Sequence, residues 1–206
     1  MSWSGTLRRC GVRSILIETP AHGVPPFLLA HGLRYALDDS AEDVVPGDRT
    51  VLVTFRHAVP AASHLREVIE RAAAAPASAS PGTLTIAVQY DGADLDAIAA
   101  TVGLAKEQVV QRHIEAVYTV AFMGFAPGFG YLTGLDPGLY LPRLPEPRVR
   151  VPAGSVAIAG PYTAIYPGQY PGGWHILGTT GVELFNARSD PPALLAAGMT
   201  VRFRRA

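Results

Sequence analysis

Residues 123–137 read MGFAPGFGYLTGLDP, fifteen positions that hold four glycines, two prolines and three aromatics. That much glycine and proline keeps the segment out of a helix interior, because glycine loses the most backbone freedom on ordering and proline lacks an amide donor. Its rings make it too apolar to prefer a solvated loop. Three settings would hold a kinked aromatic segment in place: a core corner, a docking surface for another protein chain, or the wall of a small-molecule pocket.

The texture on either side decides the fold. From Val117 onward the chain is a series of short β-rich runs: VYTVAF, VRVP, SVAIAG, TAIYP, WHILGTT, VELF and MTVRFR. Twelve of the 21 glycines and nine of the 18 prolines fall between residues 124 and 181. Many short strands punctuated by turns predict a barrel or sandwich. Upstream the pattern differs. VRSILIE (12–18) predicts a strand, and PPFLLAHGLRYAL a helix with prolines at its start. AEDVVPGDRTVLVTF predicts two strands joined across Pro46-Gly47-Asp48. PAASHLREVIERAAAA predicts an amphipathic helix with Leu65, Val68, Ile69 and Ala72 on one face, and GTLTIAVQY a closing strand.

Strand, helix, strand, strand, helix, strand over the first 90 residues predicts a split βαβ, ferredoxin-like unit. APASASPG (75–82) is read as a loop inside it, and the domain boundary is placed near Asp91-Gly92. Two helical patches follow, DLDAIAATVG and AKEQVVQRHIEA; the first has an aspartate cap and Gly103 to stop it. The fold class is therefore α+β, with an α/β domain over 1–90 and a β-barrel domain over 91–206.

Composition limits the functions available. The formal net charge is zero and no basic run occurs, which argues against nucleic acid or an anionic membrane as the main partner. Lys106 is the one lysine among 17 basic residues. Without another lysine no P-loop can be built, and Lys106 lies in a helical pattern beside Glu107, facing solvent by default. No G-x-S-x-G elbow occurs. The six histidines (22, 31, 57, 64, 113 and 175) include no i, i+4 pair and are read as structural or surface residues, so no metal site is expected. Cys10 cannot form an intrachain disulfide; it is read as a small buried residue leading into the first strand. No secretion-signal core and no run near 18 apolar residues is present, so a soluble cytoplasmic protein is expected.

Three blocks ask for a functional reason. The opening stretch sets Phe125, Phe129 and Tyr131 around Pro127-Gly128. LPRLPEPRVRVPAGSVAIAG (141–160) presents Arg143, Arg148 and Arg150 among prolines, which suits guanidinium groups meant to hold a carboxylate or phosphate. TAIYPGQYPGGWHILGTT (163–180) places Gly172-Gly173, where backbone can approach a ligand, beside Tyr166, Tyr170 and Trp174. Barrel corners would account for each residue singly; the three blocks together favour a pocket or an interface.

These blocks, with the closing VELF, are similar to the allophanate hydrolase subunit 1 family, whose members are also called 5-oxoprolinase B subunits. This is the PxpB/KipI-like family (carboxyltransferase domain, subdomain C and D), related to one half of the carboxyltransferase domain of urea carboxylase. The likeness covers nearly the whole chain and is strongest from Asp91 to Phe203. The sequence departs from the family pattern at Gly130, Tyr162, Thr179 and Asn186, and at Thr179 an arginine is usual.

The resemblance implies a ferredoxin-like domain followed by a cyclophilin-like β-barrel. It also implies one component of an ATP-dependent 5-oxoprolinase, a lactam hydrolase opening 5-oxo-L-proline to L-glutamate. The implied partners are a C-type subunit (allophanate hydrolase subunit 2) and a LamB/YcsF-like A-type subunit. ATP would be used by the complex, with its site not located in this chain, and no biotin attachment site is expected. On this reading Arg143 and Arg148 hold an anion, and Phe125, Phe129, Tyr131, Tyr166 and Trp174 form walls beside Gly172 and Gly173. Ser155 and His175 are polar groups at the mouth. No complete catalytic set is present, and Arg143 and His175 are the candidates. Two other readings stand beside it: a KipI-like inhibitor of a sensor histidine kinase, and a urea carboxylase-type carboxyltransferase component.

Overall fold

The computed structural model describes residues 3–74 and 82–206. They form two compact units, Met1–Ala79 and Ser80–Ala206. In the first, β1 (Thr6–Cys10) and β2 (Ser14–Glu18) form a hairpin, followed by α1 (Pro26–Leu37), β3 (Ala41–Pro46), β4 (Thr50–Phe55) and α2 (Ala62–Ala74). The antiparallel sheet has the order β1-β2-β4-β3. Alternation along β2 and β4 sends Ile15, Ile17, Val51, Val53 and Phe55 into one core with Leu29 and Leu33 of α1. The predicted face of α2, Leu65, Val68, Ile69 and Ala72, is buried there as expected. Gly32 lets the two helices close, because a Cβ at that position would run into the Ala72 backbone.

The strand–helix–strand–strand–helix order is present as β2, α1, β3, β4 and α2. The place beside β2 that a sixth element would take belongs to β1. The strand expected to close this unit, β5 (Thr83–Val88), pairs in parallel with β13 (Thr200–Arg205) in the other unit. The division near Asp91 is thereby corrected by one strand: composition identifies a strand, but only its distant partner decides the sheet. Of the expected 75–82 loop, residues 75–81 lie outside the described residues. Cys10 is also corrected, since it is exposed at the end of β1.

The second unit is a mixed α/β body around a nearly closed sheet. Its remaining elements are α3 (Leu95–Val102), α4 (Lys106–Glu115), β6 (Tyr118–Met123), β7 (Gly130–Thr133), β8 (Arg148–Val151), β9 (Ser155–Ala159), β10 (Tyr162–Ile165), β11 (Tyr170–Gly172) and β12 (His175–Thr179). Seven strands follow the order β12-β9-β10-β7-β6-β13-β5. The two ends meet just past β5, where Gln89 and Thr179 exchange backbone hydrogen bonds of 2.8 Å. That contact nearly abolishes the sheet edges. Strands β8 and β11 form a separate ribbon. Gly103 ends α3 in the left-handed conformation, φ 68°, as its sequence position predicts.

Inside the sheet, Ile86, Tyr118, Val120, Leu132, Ile158 and Phe203 pack with Ile98 and Val109 of the helices. His113 of α4 is wholly buried among them. Its Nδ1 lies 2.8 Å from the Tyr90 hydroxyl and its Nε2 2.9 Å from Thr163 Oγ1. The single Thr163 proton goes to the Ala157 carbonyl, so Nε2–H donates to Thr163 and Nδ1 accepts from Tyr90. Burial lowers the His113 pKa to about 3, which keeps this ring neutral. As read from sequence, this histidine is structural.

Candidate functional site

Every residue of β9 is buried, so this strand is covered on both faces. On the face away from the main core, Ala157, Ala159 and Ala164 are small enough to admit Phe129, Tyr166 and Trp174. Phe129 is the hub of the resulting aromatic cluster. Its ring meets those of Phe125, Tyr131, Tyr166 and Trp174 edge-on, at centroid distances of 5.1, 5.1, 5.4 and 5.7 Å. Such edge-to-face arrangements place a positive ring edge against a negative ring face.

The opening stretch builds this cluster through its turns. Residues 124–129 connect β6 to β7. Ala126 N–H donates to the Gly124 carbonyl across a γ-turn centred on Phe125, whose φ is 70°. A tight turn then follows, with Pro127 second, Gly128 at φ 81°, and Phe129 N–H returning to the Ala126 carbonyl. Phe129 is driven into the cluster while Phe125 is held out, 58% exposed. A phenylalanine kept at positive φ stores strain of about 1–3 kcal/mol, a feature concentrated at functional sites.

Above the cluster lies a concavity of about 270 Å³. Eight of the ten residues expected to bind substrate line it: Phe125, Phe129, Tyr131, Arg143, Tyr166, Gly172, Gly173 and Trp174. Leu144, Pro147 and Pro171 complete the lining, with Arg143 its one charged member. Arg143 is exposed and takes part in none of the ion pairs among the described residues. Burial raises the Tyr166 pKa, while a backbone hydrogen bond with Trp174 and the Arg143 charge oppose the rise. Gly172 is required where it stands, because any Cβ there would meet the Tyr166 hydroxyl and ring.

Three expected residues lie elsewhere. Arg148 donates through Nη2 to Asp94 Oδ1 at 2.5 Å and through Nη1 to the Trp174 carbonyl at 3.4 Å, so its charge is committed within the chain. Ser155 is buried at the start of β9, and its hydroxyl has no hydrogen-bond partner among the described residues. His175 Nε2 donates to the Pro142 carbonyl at 2.9 Å, outside the lining. Thr179 sits on the sheet closure, its hydroxyl 3.3 Å from Asp91 Oδ1. Sequence reading missed Asp94. The residue occupies the expected cap position of α3 but makes no side-chain cap, and its carboxylate serves Arg148 and the Ile176 amide instead. Ion-pair chemistry between two distant blocks leaves no local signal.

A rigid barrel carrying an aromatic concavity with one cation at its rim has the make-up of a small-molecule site. Residues 6–195 match the family described as carboxyltransferase domain, subdomain C and D, and the chain belongs to it. Within that family its named relatives are the B subunits of 5-oxoprolinase. The chain is 41% identical over 166 residues to the 5-oxoprolinase B subunit of Escherichia coli O157:H7, covering 78% of this chain and 76% of that one. It is 44% identical over 114 residues to the Bacillus subtilis protein of the same name, covering 55% of this chain and 48% of the relative. The crystal structure of TTHA0988 superposes with a TM-score of 0.79 at 35% identity, over 95% of this chain and 40% of that longer protein. The fold also recurs in the Kluyveromyces lactis urea amidolyase, with a TM-score of 0.71 at 20% identity over 100% of this chain and 15% of that one. No described helix is long and apolar enough to cross a membrane.

Proposed function

We propose that the chain is the B subunit of an ATP-dependent 5-oxoprolinase, and that the concavity under Phe125 is its contribution to the lactam site. In this reading the first unit is a ferredoxin-like variant and the second a cyclophilin-like barrel. The observation that carries the proposal is convergence: three sequence blocks matching the family meet around one aromatic hollow with one unpaired guanidinium. Relatives named as the B subunit of 5-oxoprolinase supply the substrate class.

The chemistry follows from the lining. Arg143 holds the ring carboxylate, and the flat lactam lies against Phe129 and Trp174, which exclude water from it. Tyr131 borders the same space. Opening the amide requires activation of its carbonyl oxygen and attack by water, and these residues bind and orient rather than attack. One guanidinium is a small donor set for a triphosphate, and in this reading ATP is held elsewhere. The nucleotide belongs to the assembled complex, as do the remaining catalytic groups, which the C-type and the LamB/YcsF-like A-type partners would bring. The protein would act in the cytoplasm.

The test is reconstitution with those two partners. ATP turnover dependent on 5-oxo-L-proline, present with the wild-type chain and lost with Arg143→Ala, supports the proposal. An assembled complex that ignores 5-oxo-L-proline while the chain inhibits a sensor kinase, or carboxylates a urea-like amide with a biotin carrier, overturns it.

A further inference from the structure

Asp94 stands immediately before α3 with the residue only 8% exposed. It bonds to Ile176 twice. Asp94 N–H donates to the Ile176 carbonyl at 3.2 Å, and Ile176 N–H donates to Asp94 Oδ2 at 2.7 Å. The other carboxylate oxygen takes Arg148, whose second nitrogen reaches the Trp174 carbonyl. One carboxylate thus fastens both ends of residues 174–176. Arg148 itself lies on β8 opposite Gly172, another residue of the hollow. From the far side Leu144 N–H donates to the Gly173 carbonyl at 2.7 Å. The backbone behind the Trp174 ring is therefore held at Gly173, at Trp174 and at Ile176.

We infer that Asp94 is a positioning residue: by engaging Arg148 and the Ile176 amide it fixes Trp174 as a wall, and it leaves Arg143 as the one cation facing a ligand that carries a single negative charge. The inference rests on reading the hollow as the ligand site. It divides two arginines that sequence could not separate. A guanidinium bound to a partly buried carboxylate is neutralised, and withdrawing it would leave Asp94 uncompensated, so Arg148 stays with the wall. A dianion such as a phosphate monoester would meet half the charge it needs.

The chain has two tryptophans, so a Trp3→Phe background makes Trp174 the sole reporter. In that background Asp94→Ala and Arg148→Met each raise the acrylamide quenching constant of Trp174 by roughly two-fold or more. Asp94→Asn, which keeps an acceptor for the Ile176 amide, falls between. Ile69→Val, a core change in the first unit, leaves quenching unchanged. Wild-type quenching in both Asp94→Ala and Arg148→Met overturns the inference, as does an equal rise in Ile69→Val. If Asp94→Ala does not fold, Arg148→Met decides, because it removes the ion pair with Asp94 and the bond to the Trp174 carbonyl while leaving the Ile176 amide its acceptor. In the reconstituted complex Asp94→Asn raises KM for 5-oxo-L-proline by roughly ten-fold with a smaller change in kcat; an unaltered KM overturns the link to the ligand. A wild-type complex with no 5-oxo-L-proline turnover overturns the functional reading alone, since the quenching needs no substrate.

Discussion

Replacing Gly172 by alanine tests whether the floor of the hollow is as tightly built as its geometry states. A Cβ there would lie against the Tyr166 hydroxyl and 2.9 and 3.0 Å from ring carbons Cζ and Cε1. Tyr166 is 2% exposed and wedged against Phe129, so it cannot swing aside without moving the hub. Overpacking of this kind costs about 1–3 kcal/mol. Tyr166→Phe alone loses the backbone hydrogen bond with Trp174, about 0.5–1.5 kcal/mol. Removing the hydroxyl also removes the worst of the clash, so the double variant should be more stable than the sum of the two losses by about 1 kcal/mol or more. Urea unfolding followed by Trp174 emission in the Trp3→Phe background reads the second unit directly. A Gly172→Ala variant with a wild-type midpoint, or strict additivity in the double variant, would refute the packing argument.

Arg143→Gln in the reconstituted complex should raise KM for 5-oxo-L-proline by roughly ten-fold or more while leaving the urea midpoint unchanged, since a charge-assisted bond is worth about 1.5–3 kcal/mol and Arg143 is exposed. Phe125→Gly relieves the positive φ and removes a half-exposed ring; turnover should fall with no loss of thermal stability, measured by calorimetry beside the activity assay. His113 predicts a pH dependence. Its folded pKa, about 3, lies below the ordinary 6.5, so between those values the unfolded chain binds the extra proton. The stability this ring provides is complete above pH 6.5 and is lost as pH falls toward 3. His113→Phe should flatten that part of a stability-against-pH curve, and an unchanged slope would contradict the buried neutral ring.

What the sequence made legible was local periodicity and turn chemistry. Leu65, Val68, Ile69 and Ala72 recur at helical spacing because one face of α2 is buried, and Gly103 stops α3 because only glycine takes that conformation without cost. The hollow was legible for a similar reason: its rings, glycines and Arg143 lie in three compact blocks. Choices made between distant parts were not. Thr83–Val88 has the propensity of a strand in either sheet, and β13 claims it. The strand Thr6–Cys10 escaped notice because almost all its residues are exposed, which erases the alternation that marks a half-buried strand. Arg143 and Arg148 share a proline-rich setting, and only Asp94, 54 residues before Arg148, tells them apart.

The three alanines beneath the aromatic cluster act as a depth gauge. Because β9 has no free face and Ala164 on neighbouring β10 is equally buried, a larger side chain at 157, 159 or 164 presses upward into Phe129, Tyr166 and Trp174. The hollow can therefore be made shallower through its foundations, one methyl group at a time, without altering a single residue of its lining.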